Sequence, residues 1–213
     1  MQRIFFILLL QMVTVMATAQ QQNEQPILPA AAEATTEPTN RVRSDGPDNV
    51  LEYTPWIAAL SLRLAGLAFK NDELEGASSW KRFAVNAGMS LLLTDGVVYT
   101  LKHTIHERRP DGSDNKSFPS GHSAVAFAGA TVLMKEYRHL SPWIGIAGYG
   151  VATFTAIDRV DRNKHHWLDV ISGAGIGILG THVAYWLGDK ITGEHSRYSI
   201  GFDGRTIGMV VRF

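Results

Sequence analysis

Three short polar clusters interrupt the apolar stretches between Lys102 and Asp169. Lys102 is followed after six residues by Arg109-Pro110. Pro119-Ser120-Gly121-His122 comes next, and then Arg159, His165 and Asp169, separated by five and three residues. The set supplies three cations, two histidines and one carboxylate. Arginine meets phosphate oxygens through a bidentate fork, and lysine meets them as a point charge. One neutral imidazole can attack phosphorus, and a second, protonated one can give its proton to the leaving oxygen. This is the inventory of a metal-free phosphoryl-transfer site, in which fixed cations stabilise the charge that develops in the transition state.

Within the third cluster, His165 and Asp169 are four residues apart. On a helix that spacing puts both on one face. A carboxylate bonded to one ring nitrogen fixes the tautomer and leaves the other nitrogen as a lone-pair nucleophile. His166 is three residues from Asp169 and competes for the same carboxylate, and spacing alone does not choose between the two. In the second cluster, Ser120 can cap a helix and Gly121 lets backbone approach a ligand, so the first N–H groups point at an anion. His122 then lies just inside the helix, placed as an acid. Singly, each cluster has a plain structural explanation: a helix-start salt bridge, a capping sequence, solvated surface charges. The weight lies in their occurring together and in order.

Positioning these residues falls to helices. Thr54-Pro55 fits an N-cap followed by proline in the first turn, which opens an apolar helix over Trp56–Phe69 with Arg63 inside it. A second helix is expected over Phe83–Leu101, carrying Asn86 and Asp95. The polar stretch Asp111–Phe118 reads as a loop, and a third helix as Ser120–Tyr137. Ser141-Pro142 repeats the cap-plus-proline start of a fourth helix ending near Ile157, with Asp158–Lys164 as a charged loop. A fifth helix is expected from His166 to Leu187. The tail alternates at Tyr198, Ile200 and Phe202 before Asp203-Gly204, the signal of a short C-terminal β-hairpin. The expected fold class is therefore all-α, a bundle of about five core helices with that hairpin appended.

The chain has 213 residues and a formal net charge of zero, so it carries no basic field of the kind nucleic acid requires. Cysteine is absent, which removes disulfides, thiol chemistry and cysteine-based metal sites. Met1-Gln2-Arg3, the apolar run from Ile4 to about Met16 and Ala17-Thr18-Ala19 follow the order of a secretory signal peptide. The expected organisation is a signal peptide over 1–19, a disordered linker over 20–50, the helical domain over 51–195 and the hairpin over 196–213. Leu140–Ile157 and Ile171–Gly188 contain no Asp, Glu, Lys or Arg, and each is 18 residues long, near the lower limit of a membrane span. Against this stand Arg63, Asp95, the short third helix ending in Lys135-Glu136-Tyr137-Arg138, and a mean hydropathy of only −0.03.

In combination, the clusters resemble the signature of the type 2 phosphatidic acid phosphatase superfamily, which includes bacterial acid phosphatases, lipid phosphatases and vanadium haloperoxidases. Lys102, Arg109 and Pro110 match its first motif, Pro119 to His122 its second, and Arg159, His165 and Asp169 its third. The likeness covers about Thr54 to Leu187. It implies that His165 is the nucleophile forming a phosphohistidine, that Asp169 orients it, and that His122 protonates the leaving alkoxide and later activates water. It further implies that Lys102, Arg109, Ser120, Gly121 and Arg159 hold the phosphate, with no metal and no cofactor. The family spacing favours His165 over His166. One position departs: the family's serine before the third-motif arginine is Asp158, which is expected to steady Arg109 or Arg159 rather than to face phosphate.

The leading expectation is an exported phosphomonoesterase at the periplasmic face of a membrane. Its substrate would be a lipid-linked phosphate of the phosphatidate, isoprenyl pyrophosphate or lipid A type. A soluble periplasmic acid phosphatase of broad specificity, acting on small phosphomonoesters, is the alternative. The compact length disfavours a vanadate-dependent haloperoxidase, and the complete set of reactive side chains disfavours a catalytically silent membrane protein.

Overall fold

The computed structural model describes residues 48–71, 78–193, 198–202 and 207–211. The expected signal peptide and most of the linker lie outside the described residues. The helices are α1 (Asp48–Leu51), α2 (Thr54–Phe69), α3 (Trp80–Thr104), α4 (Gly121–Tyr137), α5 (Pro142–Asp161) and α6 (Trp167–Thr192). α2 to α6 are the five expected core helices, and α1 begins inside the span read as linker.

Helix α4 is the shaft of the bundle. Twelve of its 17 residues are buried, most of them Ala, Val or other small side chains, and α2, α3, α5 and α6 all pack against it. A helix that is apolar all round belongs inside, so the shortness and charged end that spoke against a membrane describe the centre of the bundle, not its surface. α6 meets α4 backbone to backbone. A Cβ at Gly173 would overlap the carbonyl of Ser120, and one at Gly177 that of Ala124. These two positions need glycine because nothing larger fits.

The helix starts follow capping chemistry with small shifts from expectation. Ser79, Ser120 and Ser141 are N-caps, their hydroxyls accepting from the backbone N–H of Arg82, Ser123 and Trp143 at 3.2, 3.4 and 3.3 Å. α2 differs: Tyr53 holds the N-cap position, and Thr54 Oγ1 donates back to the Val50 carbonyl at 3.3 Å. α5 runs four residues past Ile157, because the polar residues 158–161 still make helical hydrogen bonds. Asp158 and Arg159 therefore sit on its last turn and not in a loop. α6 starts one residue later than expected, with His166 as its N-cap.

Arg63, expected to interrupt α2, is instead wholly buried and turned inward. Its Nη1 meets Glu136 Oε2 at 3.2 Å, another nitrogen donates to the Ser78 carbonyl, and the guanidinium lies 4.6 Å from the Phe83 ring centroid. Around this pair lies the main apolar cluster, including Ala59, Leu62, Val132, Leu133, Tyr137 and Tyr185.

Beyond α6, residues Tyr198–Phe202 and Ile207–Val211 run antiparallel with Ile200 opposite Met209. Residues 203–206, where the hairpin turn is expected, lie outside the described residues.

Candidate active site

The three polar clusters lie at one end of the bundle because three helix ends meet there: the C-terminus of α3, the N-terminus of α4 and the junction of α5 with α6. The Ser120 N–H donates to the Asp169 carbonyl at 3.0 Å, joining the start of α4 to the first turn of α6. Gly121 faces α3, with the position of its missing Cβ 3.9 Å from Lys102 Cε.

Ahead of α4, residues 105–120 form a folded loop whose Phe118–Pro119 bond is cis. Lys102 Nζ donates to the Lys116 carbonyl at 2.9 Å. Arg109 Nε meets Asp114 Oδ1 at 2.8 Å, and its backbone N–H donates to the Asp114 carbonyl at 3.0 Å. The loop is tied across to the α5–α6 junction twice. The Asp111 N–H donates to the Asn163 carbonyl at 3.0 Å, and Lys164 Nζ meets Asp111 Oδ2 at 3.1 Å. Burial works against the Asp111 charge, but donors from Ser113 and Lys164 prevail and hold its carboxyl at about 2.

Arg159 is almost wholly buried on α5, its Nη2 3.5 Å from Asp158 Oδ2. Asp158 also takes Arg162 Nε at 2.9 Å. It thus steadies Arg159, as one of the two expectations had it, and Arg162 in place of Arg109.

His165 is 3% exposed and lies just before the N-cap of α6. The expected helical i,i+4 geometry does not apply, since His165 is outside the helix. Its Nδ1 nonetheless stands 3.5 Å from Asp169 Oδ2, close enough for charge attraction but without a formed hydrogen bond. Asp169 is held firmly: Ser117 Oγ donates to Oδ2 at 2.5 Å and the His166 N–H at 2.8 Å, the latter closing a capping box. The His166 ring is also 3.5 Å from that oxygen but is 47% exposed and equally close to Glu107. Burial separates the two histidines where distance does not. Glu107, His166 and Asp169 bring ligand atoms within 4.8 Å of one another.

The electrostatics mark this end as cationic. Burial, then Arg159, His165, Arg109 and Lys102, push the His122 imidazole down to about 3. Burial, with Lys102 and Arg109, pushes His165 down to about 4 against the pull of Asp169. Both rings are neutral near pH 7, and His122 is within reach of the charges of both other clusters.

Two contributors were not foreseen from the sequence. Ser117 was read only as part of a loop, and its bond to Asp169 needs the fold to become visible. Glu52, in the turn between α1 and α2, carries no motif and no spacing relation to the clusters. It is 7% exposed, and its Oε2 lies 3.9 Å from His122 Nε2. Burial pushes its carboxyl up to about 7, with Arg159 opposing and Asp95 adding to the rise.

A family model described as the PAP2 superfamily matches residues 83–192. A Porphyromonas gingivalis protein, "Lipid A 1-phosphatase", is 40% identical over 152 residues, 71% of this chain and 33% of that one. "Diacylglycerol pyrophosphate phosphatase 1" of Saccharomyces cerevisiae is 31% identical over 111 residues, 46% of this chain and 36% of that one. The crystal structure of Aquifex aeolicus LpxE aligns with a TM-score of 0.46 at 24% identity, over 68% of this chain and 88% of that one. The chain spans about a third of the length of these two curated relatives.

Proposed function

Because the chain belongs to the PAP2 superfamily, we propose that it is a metal-independent phosphomonoesterase acting on a lipid-linked phosphate at the periplasmic face of a membrane. The observation that carries this reading is the meeting of three cations with two neutral histidines, His165 buried and His122 half-buried, at one end of the bundle.

In the proposed mechanism, Lys102, Arg109 and Arg159 bind the phosphate oxygens, with Ser120 and Gly121 at the α4 N-terminus contributing backbone N–H groups and partial positive charge. His165, with Nδ1 toward Asp169, attacks phosphorus through its other nitrogen. His122 protonates the departing alkoxide and then takes a proton from the water that hydrolyses the phosphohistidine. Neutrality of His165 matters here, because only the unprotonated ring has a lone pair to give.

The lipid part of the proposal is supported by the outer surfaces of α3 and α6. These helices have 25 and 26 residues, about 37 and 39 Å long. Only 22% and 33% of their most apolar stretches are buried. Leu92, Tyr99, Leu168, Ile171 and Leu179 are each more than 60% exposed, apolar surface of the kind that marks a site of membrane or partner contact. The names of the relatives add diacylglycerol pyrophosphate to lipid A phosphate, phosphatidate and isoprenyl pyrophosphate as the substrates to test. The C-terminal strands carry none of the site residues, and stability or placement is the role proposed for them.

The test is phosphate release from these lipids in mixed micelles by purified wild-type and His165→Ala protein, with acid-labile phosphoprotein measured on rapid quenching. Turnover and a trapped phosphohistidine in the wild type alone are expected. Release only from soluble phosphomonoesters, with the protein extracted from cells without detergent, would overturn the lipid reading.

A further inference from the structure

Glu52 has no part in the mechanism above, yet it is one of two buried carboxylates beside its histidines. Asp169 faces His165 at 3.5 Å, and Glu52 faces His122 at 3.9 Å. Charged and titratable groups surround Glu52 from several elements. They are Tyr53 beside it, whose hydroxyl donates to it, Asp95 on α3, His122 on α4 and Arg159 on α5. We infer that Glu52 is a positioning residue for His122 and holds the proton that the acid step consumes. This rests on the reading of His122 as the acid.

The difficulty it resolves is electrostatic. Lys102, Arg109 and Arg159 make the site fit for phosphate, and the same charges disfavour an imidazolium at His122. A lone histidine there would have no proton to give. Glu52, buried and raised to about 7, keeps one beside it. When a phosphate dianion enters and offsets the cations, the proton moves from Glu52 to His122 Nε2, directly or through one water. An imidazolium proton then goes to the leaving oxygen as the P–O bond breaks with its electron pair on oxygen, while His165 forms the P–N bond. In the second half, water attacks phosphorus, its proton passes to His122 and back to Glu52, and the P–N pair returns to His165.

The experiment compares wild type, Glu52→Gln, Glu52→Asp and His122→Ala on two substrates. Dioctanoyl phosphatidate needs a proton on its departing alkoxide, and p-nitrophenyl phosphate does not. Glu52→Gln should lose roughly tenfold to a hundredfold in kcat on phosphatidate, part of the 10²–10⁴ that acid–base catalysis contributes. On the aryl ester it should lose less than about threefold, and Glu52→Asp should recover part of the phosphatidate rate. Equal losses on both substrates, or none on phosphatidate, overturn the inference. If Glu52→Gln folds poorly, the same ratio is read from Glu52→Asp, and equal losses there overturn it too. Equal losses in His122→Ala would instead mean that His122 is not the acid.

Discussion

The two ends of α4 use similar side chains to opposite purposes. At its C-terminal end, Glu136 accepts from Arg63 at 3.2 Å, Ser78 at 2.6 Å and Tyr185 at 2.9 Å. Nearby, Arg82 grips Asp189 through two bonds of 2.6 and 3.0 Å, and Asn86 adds a third at 3.0 Å. There each guanidinium meets a carboxylate face to face. About 21 Å away along the same helix, Lys102, Arg109 and Arg159 are steadied by a carbonyl and by carboxylates at their flanks, and their field still reaches both histidines. A buried cation directly matched by an anion is structural. In the proposed function, the cations whose field still reaches the histidines are the receptor for an anion not supplied by the chain.

The largest test of that contrast is His165→Ala, which should cost about 10³-fold or more in kcat with circular dichroism unchanged. His166→Ala, on a half-exposed cap, should cost far less; the reverse pattern would mean the nucleophile is misassigned. At the other end, Glu136→Ala should leave the rate per folded molecule intact but cost about 3–5 kcal/mol of stability, because it strands a buried charge. Arg63→Met with Glu136→Leu should recover most of that loss in a denaturant titration. If either change abolishes turnover in folded protein, the two ends are coupled after all.

Vanadate sharpens the receptor side. As a transition-state mimic it should bind about 10²-fold or more tighter than phosphate, while EDTA should leave activity unchanged. Loss on chelation, restored by a divalent ion, would give the Glu107–His166–Asp169 group a role it lacks in the proposed mechanism. Stability should also depend on pH through the receptor end. His122 and His165 titrate near 6.5 when unfolded but at about 3 and 4 when folded. Below pH 6.5 the unfolded chain therefore binds more protons, and stability should fall as pH drops from 6.5 toward 4. Glu52 acts with the opposite sign. Its folded carboxyl titrates at about 7 against 4.5, so it removes stability as pH rises between those values. Glu52→Gln should accordingly raise the melting temperature at pH 8 more than at pH 5. The smallest effect is expected from Asp111→Asn, which loosens one partly exposed tie between loops. It should cost under about 1 kcal/mol of stability, read in a thermal melt.

Much of this was written locally in the chain. Serine caps and prolines marked most helix starts to within a residue or two, though α3 begins three residues before the expected Phe83, and the loop before Ser120 announced itself by composition. Cluster order carried the family. What could not be read depends on partners distant in sequence. Arg63 looks like an interruption until Glu136, 73 residues on, is seen to meet it. Likewise, α4 looks too short and too charged to be apolar until its neighbours surround it. Glu52 has no local signature at all, since its meaning lies in 3.9 Å of space and not in any spacing along the chain. His165 and Asp169 come within 3.5 Å of each other without the expected helical spacing, while the capping box joins Asp169 to His166.

The glycine contacts between α6 and α4 have an evolutionary consequence. Gly173 and Gly177 let two backbones touch, so the wall bearing Ser120, His122, His165 and Asp169 has little room to drift. The loop of residues 105–118 is fastened to that wall by a few polar ties, such as those from Lys102 and Lys164. On the proposed reading a lineage could exchange residues 110–116 of this clasp, between Arg109 and the Ser117 that bonds Asp169, and with them the headgroup admitted, without disturbing the reactive wall. On that reading substrate range and chemistry sit on separable pieces of the chain, and grafting residues 110–116 between relatives should move one without the other.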